Sequence, residues 1–153
     1  MRILSSLVLM LMVCSLFAGT AAAQDEKFIN LALFNPVQIF DETQSIKGIR
    51  LTAFYAKNAN VTGFDWGWIA LSQVTGEFKG VQWSPINMVG GMMTGWQAGL
   101  VNYNQGDWLG LQTSFVNYSE GSGEGVQFSW VNVGGHVSGL QLGLFNMTET
   151  MHG

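Results

Sequence analysis

The sequence is poor in the residue types on which many catalytic and metal sites depend. Its 153 residues include one cysteine and two histidines, and only 10% of them are charged. The cysteine, Cys14, lies before Ala23 in the N-terminal segment, so a chain without that segment has no disulfide, no thiol nucleophile and no thiolate metal site. His136 and His152 supply little material for a zinc site or a Ser-His-Asp triad. We therefore predict no metal and no cofactor.

Positive charge is also scarce. The sequence contains no Lys or Arg after Lys79. In the chain that follows Ala23, five basic residues stand against ten acidic ones, which gives a net charge near −5. Proteins that bind nucleic acid need a basic surface to neutralise phosphates. We therefore exclude a nucleic-acid partner.

The N-terminus has the pattern of a secretory signal peptide. Arg2 is a short basic region, residues 3–17 are apolar, and Ala21, Ala22 and Ala23 form a small-residue cleavage site. This pattern predicts export, with cleavage after Ala23. The predicted organisation is a signal peptide at 1–23, an N-terminal capping segment at 24–46 and a repeat domain at 47–153.

An octet recurs along the remaining chain. Glycines spaced roughly 15 residues apart each begin an octet with the order Gly, apolar, Gln, mostly apolar, small, mostly apolar, apolar, Asn. Gln and Asn both hold their places in five consecutive octets, which chance does not explain. The octet glycines are Gly48, Gly63, Gly80, Gly95, Gly110, Gly125 and Gly139; the glutamines are Gln82, Gln97, Gln112, Gln127 and Gln141; the asparagines are Asn87, Asn102, Asn117, Asn132 and Asn146.

The octet spacing predicts an all-β fold and favours a parallel β-solenoid. Each octet alternates in the period of a β-strand, and the segments between octets have turn composition. A solenoid with coils of about 15 residues repeats the same strand and turn in every coil. An antiparallel β-meander, or an outer-membrane barrel of the eight-stranded type, would instead repeat a hairpin of about twice that length. Both antiparallel arrangements stay open as alternatives.

A solenoid gives each place of the octet a structural role. Equivalent residues stack about 4.8 Å apart, so we predict hydrogen-bonded ladders of the Gln and Asn side chains. The first-place glycine is expected to turn the chain at a corner, and the small fifth residue to let another layer approach. Gly153 lies where a further octet would begin, so we expect the array to continue beyond it. The small fifth residues are Gly99, Ser114, Ser129 and Gly143.

Aromatic residues recur at two places of the octets. The first interpretation is a core, because the same strand face also carries leucines. So short a coil, however, encloses a narrow interior. We therefore also hypothesise that part of this face is external and is covered by further sequence, a partner or a membrane. The residues are Trp66, Trp83 and Phe128 at the fourth place and Trp68, Phe115 and Trp130 at the sixth.

The signal-peptide pattern, the stretch "LFNPVQ" and the octets together resemble exported bacterial surface-repeat proteins, which carry tandem "GLQIGLVN"-like units at a similar period. The resemblance covers roughly residues 30–153. It implies a bacterial origin and an address at the cell surface or outer membrane, and it supplies no settled activity and no catalytic residue. The first two octets depart from the pattern, since Arg50 and Asp65 replace Gln, and Tyr55 and Ala70 replace Asn.

Three acidic residues in successive turns are the candidates for chemistry. Asp107, Glu120 and Glu124 can gather at one edge of a stack. A pair of carboxylates there would hydrolyse a glycosidic bond, and the group of three would bind calcium. Acids in turns are mostly solvated charges, so we predict no catalytic residue.

A second candidate site binds a ligand. Trp96 and Trp108 flank the turn that contains Asn104 and Asp107, a combination that can stack a sugar ring and bond its hydroxyl groups. We predict a non-catalytic surface scaffold or adhesin-like protein that binds an unidentified protein or glycan, at the cell surface, at the outer membrane or in the periplasm. The alternatives are a small outer-membrane barrel protein and a carbohydrate-active β-helix enzyme.

Overall fold

The computed structural model describes residues 27–153 and shows an all-β parallel solenoid. The predicted signal peptide, with Cys14, lies outside the described residues. No helix occurs in the part of the chain that the structure describes, and so none there could span a membrane. The strands are β1 (Lys27–Phe34), β2 (Val37–Gln38), β3 (Ile46–Asn58), β4 (Val61–Gly67), β5 (Leu71–Val74), β6 (Phe78–Trp83), β7 (Ile86–Val89), β8 (Met93–Ala98), β9 (Val101–Asn104), β10 (Trp108–Thr113), β11 (Val116–Ser119), β12 (Gly123–Phe128), β13 (Val131–Leu142) and β14 (Phe145–His152).

Successive coils pair in parallel and in register. The first sheet has the order β1-β3-β4-β6-β8-β10-β12-β13, and the second has the order β3-β5-β7-β9-β11-β13-β14. Each octet glycine pairs with the glycine of the preceding octet, as Gly110 does with Gly95. Adjacent octets therefore run in the same direction. The solenoid prediction is confirmed, and the antiparallel alternatives are wrong.

The alignment of the first two octets needs a correction. The second octet has two extra residues at its corner, so that Ser72, and not Ala70, pairs with Asn87. In the first octet Ala56, and not Tyr55, pairs with Ser72. The ungapped alignment missed this because an insertion at a corner leaves the paired strands in register while it shifts the sequence numbers.

The octet glycines lie within strands and not at corners, contrary to the prediction. Gly110 has a φ of +130°, a conformation that side chains with a Cβ rarely adopt. A Cβ at this position would lie 2.1 Å from the carbonyl oxygen of Gly95 in the preceding coil. The glycine column is therefore required by backbone conformation and by the close approach of neighbouring coils. The other octet glycines share the positive φ: Gly48, Gly63, Gly80, Gly95, Gly125 and Gly139.

The interior of the solenoid contains apolar and amide columns side by side. One apolar column lies two residues before each octet glycine and includes Phe78, Met93 and Trp108, none more than 1% exposed. Gly123 follows Trp108 in this column, and a Cβ there would lie 1.9 Å from the Trp108 indole. The buried tryptophan thus fits because the next coil supplies no side chain. The other interior columns hold the octet Gln residues, the octet Asn residues, and a mixed set that includes Val74, Val89 and Asn104.

The N-terminal end of the stack is covered by residues before the first octet. Strand β1 pairs in parallel with β3, and β2 folds back antiparallel onto β1. Phe40 packs against the buried apolar cluster that contains Ile46 and Val61. Asn30 extends the Gln column, because it pairs with Arg50, and its Nδ2 donates to Oδ1 of Asn58 at 3.0 Å.

Candidate functional site

The Gln residues form a buried ladder under the first sheet. Nε2 of Gln97 donates to Oε1 of Gln82 at 2.9 Å. In the later coils Gln127 donates to Gln112 at 2.6 Å, and Gln141 donates to Gln127 at 2.7 Å. Each donor points toward the N-terminal end of the stack. Because every glutamine carries both a donor and an acceptor, identical side chains satisfy one another in the interior.

The Asn residues form a second ladder with the opposite direction. Asn87 donates to Asn102 at 2.8 Å, Asn102 to Asn117 at 2.9 Å, Asn117 to Asn132 at 3.0 Å and Asn132 to Asn146 at 2.8 Å. Each donor here points toward the C-terminal end. The amide dipoles of the two ladders therefore oppose each other, which limits the field that either column creates along the axis.

The small fifth residues lie at the corner between the two sheets. The Ser114 hydroxyl donates to Oδ1 of Asn117 at 2.7 Å, and Ser129 bonds Asn132 in the same way at 2.8 Å. A Cβ at Gly99 would lie 2.1 Å from the Ser84 carbonyl oxygen. The fifth place is thus small because neighbouring coils approach closely at the corner, and its serines also complete the Asn ladder.

The Gln ladder has one break. Nδ2 of Asn104 donates to Oε1 of Gln97 at 2.9 Å, so it takes the acceptor that faces the next coil. Nε2 of Gln112 and Oδ1 of Asn104 are buried without a hydrogen-bond partner. The residue that pairs with Asn104 from the preceding coil is Val89. Asn104 thus follows two valines, Val74 and Val89, in a column of mixed character, and its amide costs the ladder one hydrogen bond.

In the first two coils the Gln column is replaced by a buried ion pair. Arg50 and Asp65 are both fully buried and form a bidentate contact, with Nε to Oδ1 at 2.8 Å and Nη2 to Oδ2 at 2.6 Å. The Ser72 hydroxyl donates to Asp65 Oδ2 at 2.5 Å and also contacts Arg50. Gln82 donates to the same carboxylate oxygen at 2.9 Å. All of these groups are engaged with each other, so this cluster ends the ladder and is not a ligand site.

The aromatic and leucine side chains at the fourth and sixth places of the octets lie on the outside of the solenoid. We call the outer face of the first sheet with its adjoining corner the aromatic face. Its most exposed tryptophans are Trp68 at 67% and Trp130 at 61%. The core interpretation is therefore wrong, and the hypothesis of an external face is supported. The aromatic face includes Phe64, Trp66, Trp68, Ile69, Trp83, Trp96, Leu100, Phe115, Phe128, Trp130, Leu140, Leu142 and Leu144, each more than a third exposed.

Neighbouring rings on the aromatic face contact one another along the stack. Trp66 and Trp83 lie 5.9 Å apart with an interplanar angle of 12°. Phe115 and Trp130 lie 5.6 Å apart at a tilt of 43°. Such pairs add about 0.5–1.5 kcal/mol beyond the burial of their area. Ring ladders thus stabilise the outside of the coils, as the amide ladders stabilise the inside.

A trough interrupts the aromatic face at the fourth and fifth coils. The fourth octet place holds Ala98 and Thr113 there, between Trp83 and Phe128 in the flanking coils. The depression encloses about 650 Å³, a volume typical of small-molecule sites. We call this depression the trough. Its walls are Trp83, Pro85, Trp96, Leu100, Phe115, Phe128 and Trp130, and its floor is Ala98, Gly99, Thr113 and Ser114.

Most polar groups on the trough floor are engaged within the protein, and the Thr113 O–H is the donor that is not used. Nε1 of Trp96 donates to Oγ1 of Thr113 at 3.0 Å, and the Ser114 hydroxyl is bonded to the Asn ladder. The underlying strands β8 and β10 are each paired on both sides, so their backbone groups are used in the sheet. The floor therefore offers an apolar surface although it contains hydroxyl groups.

Two other features lie on the surface outside the trough. An apolar groove lies near the N-terminal end and is lined by residues that include Leu31, Val37 and Trp68. On the outer face of the second sheet, Tyr103 and Tyr118 stack at 5.6 Å. The Tyr103 hydroxyl donates to Oε1 of Glu120 at 2.5 Å, and this hydrogen bond raises the pKa of Tyr103 above its usual value.

The four residues predicted to bind a ligand do not share one surface. Trp96 lies on the aromatic face and Asp107 lies in an exposed turn, where its Oδ1 accepts a hydrogen bond from the Ser122 amide at 2.8 Å. Asn104 and Trp108 are buried in the interior. The combined site is therefore corrected: closeness in sequence did not reveal that alternate residues of a strand face opposite sides. Trp96 alone remains at a candidate site, as a wall of the trough.

The three acidic candidates do not form one group: Asp107 and Glu124 line the same depression, whereas Glu120 lies beside Tyr103. Asp107 bonds the turn of the next coil, and Glu120 accepts from Tyr103 on the second sheet. Within residues 27–153 no three His, Cys, Asp or Glu side chains form a group suited to a metal ion. The trough was not predicted from the sequence. Its signal is that two successive octets have a small residue at the fourth place, whereas the octets on either side have an aromatic residue at that place.

Comparisons of the chain with known protein families, with characterised proteins and with solved structures found no significant match.

Proposed function

We propose that this chain is a non-catalytic exported scaffold of the cell surface that holds a partner through its aromatic face. The observation that carries the proposal is the exposure of aromatic and aliphatic side chains along successive coils of a rigid repeat. Soluble proteins rarely expose large contiguous apolar surfaces, and such surfaces mark interaction sites. The second sheet carries the tyrosine pair and does not form a comparable row of tryptophans.

The interior supports a scaffold more than an enzyme. Most of its buried polar side chains belong to the ladders or to the ion pair, and most of these bond each other. Repeat proteins use regular stacking of this kind to build extended binding surfaces. The predicted signal peptide supplies the route of export.

The proposal is tested by expressing the tagged chain in a bacterial host. N-terminal sequencing of the mature protein should begin at Gln24, and a membrane-impermeant reagent should label the tag on intact cells. Replacing Trp68 and Trp130 by serine should release the protein from washed cells, because most of the surface of both rings is exposed and available for apolar contact with a partner. Tyr118→Ser, on the second sheet, is the matched control and should be retained.

Two results would contradict this function. One is an uncleaved chain that stays in the cytoplasm. The other is equal retention of the double tryptophan variant and the native chain, which would show that the aromatic face does not hold the protein at the surface.

A further inference from the structure

We infer that the trough binds the hydrocarbon chain of a single monomeric amphiphile, such as a fatty acid. This inference rests on the proposed function, because it names what one part of the aromatic face takes up. The aromatic face is concave at the trough, since Ala98 and Thr113 stand where the flanking coils carry Trp83 and Phe128.

The hydrogen bonds on the floor decide the chemistry of the occupant. Thr113 and Ser114 are bonded within the protein, and strands β8 and β10 have no free edge. On this floor only the Thr113 O–H can still donate, so a peptide in the trough would leave most of its backbone N–H and C=O groups without partners, and a sugar most of its hydroxyl groups. An unpartnered buried polar group costs about 1–3 kcal/mol. A hydrocarbon chain has no such groups and therefore avoids this cost.

The walls favour a flexible apolar chain over a flat contact. Rings from four successive coils and the Leu100 side chain surround the small residues of the floor. A bilayer surface meets convex apolar residues more readily than it fills a concave site of about 650 Å³. Trp83 and Trp130 at the walls are partly exposed, so the polar end of an amphiphile can remain in water while its chain is covered.

The test uses a fatty acid that is brominated at the end of its chain, because bromine quenches tryptophan fluorescence on contact. The purified chain should show saturable quenching through Trp83, Trp96 and Trp130. Saturated fatty acids of eight, ten and twelve carbons should compete, each added methylene strengthening binding roughly fourfold while the trough is being filled.

Two variants fill the trough in the manner of the neighbouring coils. Ala98→Phe and Thr113→Phe, made separately, place a ring where Trp83 and Phe128 already have one, so the fold has a precedent for each. Each should weaken binding at least about tenfold, a loss of about 1.4 kcal/mol. Val133→Tyr, on the second sheet beside Tyr118, is the matched control and should bind as the native chain does.

Several outcomes would overturn the inference. These are absence of quenching, quenching that neither filling variant reduces, competition by soluble oligosaccharides, and binding to phosphatidylcholine vesicles without binding of the monomeric fatty acid. Surface retention that is lost only in the Trp68 and Trp130 variant, with no fatty-acid binding by the native chain, would leave the proposed function in place and reject this inference alone.

Discussion

The first two coils and the later coils fill the same buried column with different polar side chains. In both regions the column under the first sheet is fully buried and polar. The later coils fill it with glutamines that bond their neighbours, whereas the first two fill it with Arg50 and Asp65. A glutamine leaves a donor or acceptor for the next coil, so its ladder can be extended without limit. The charges of Arg50 and Asp65 are paired with each other within two coils, so the glutamine ladder ends there.

This difference bears on register as well as on stability. Identical amide coils can slip by one coil and still bond, because every coil offers the same groups. The ion pair occurs once among the described coils, so a slipped stack would bury an unpaired charge. We therefore expect the first two coils to specify the alignment of the array and the later coils to supply repeated, interchangeable contacts.

The largest expected effect comes from breaking the ion pair. Asp65→Asn keeps the shape of the side chain but leaves the buried Arg50 without its counter-charge. The free energy of unfolding should fall by about 3–5 kcal/mol, measured by urea denaturation. Glu124→Gln, in an exposed position, is the control and should change stability by less than about 0.5 kcal/mol. A loss below about 1 kcal/mol for Asp65→Asn would show that the pair does not hold the column.

A smaller loss is expected from interrupting an amide ladder. Asn117→Ala removes the donor to Asn132 and the acceptor for Asn102 in the interior. Stability should fall by about 2 kcal/mol, because two buried ladder bonds are lost and the Ser114 hydroxyl loses its acceptor. Asn146→Ala removes the same side chain from the exposed end of the column and should cost less. Equal losses at the two positions would contradict a role for burial in the ladder.

A gain is expected where the ladder is broken. Asn104→Val gives this position the residue of the preceding coil, Val89, and frees Oε1 of Gln97 for Gln112. We expect stabilisation by about 1 kcal/mol, seen as a higher urea midpoint with an unchanged slope. Val89→Ala is a useful comparison, since it removes apolar volume from the same column and should destabilise. Destabilisation by Asn104→Val would mean that the asparagine has a structural role beyond its bond to Gln97.

The smallest change in stability is expected when the ion pair of the first two coils is replaced by the glutamines of the later coils. The double variant Arg50→Gln with Asp65→Gln extends the glutamine column into the first two coils. Its stability should stay within about 1 kcal/mol of the native chain, because a neutral replacement leaves no unpaired charge. If the ion pair specifies register, this variant should form a more heterogeneous population by native gel electrophoresis. A loss as large as that of Asp65→Asn would show that the amide ladder cannot continue there.

The sequence predicts the fold well because translational repetition is visible in it. Gln and Asn at fixed places require stacked, parallel coils, and the structure contains them. The inside and outside are harder to predict, since apolar residues are usually assigned to the core. In this narrow coil the amides satisfy each other inside, and so Trp66 and Trp83 are placed outside.

The errors in the candidate site have similar physical causes. Trp108 stands two residues before an octet glycine, where Phe78 and Met93 also stand, and this position predicts a buried side chain once the columns are known. The role of Ser72 was hidden by the insertion at the corner of the second coil. The trough depends on the side chains of four adjacent coils and becomes visible only when they are stacked.

The central claim is that the amides line the interior and the aromatic residues cover the outside. Quenching of tryptophan fluorescence by acrylamide tests it most directly, in the dilute chain without ligand. We expect acrylamide to quench most of the emission of the six tryptophans. The protected remainder should disappear in Trp108→Phe, since Trp108 is 1% exposed. Protection of most of the tryptophan emission, unchanged in that variant, would contradict it.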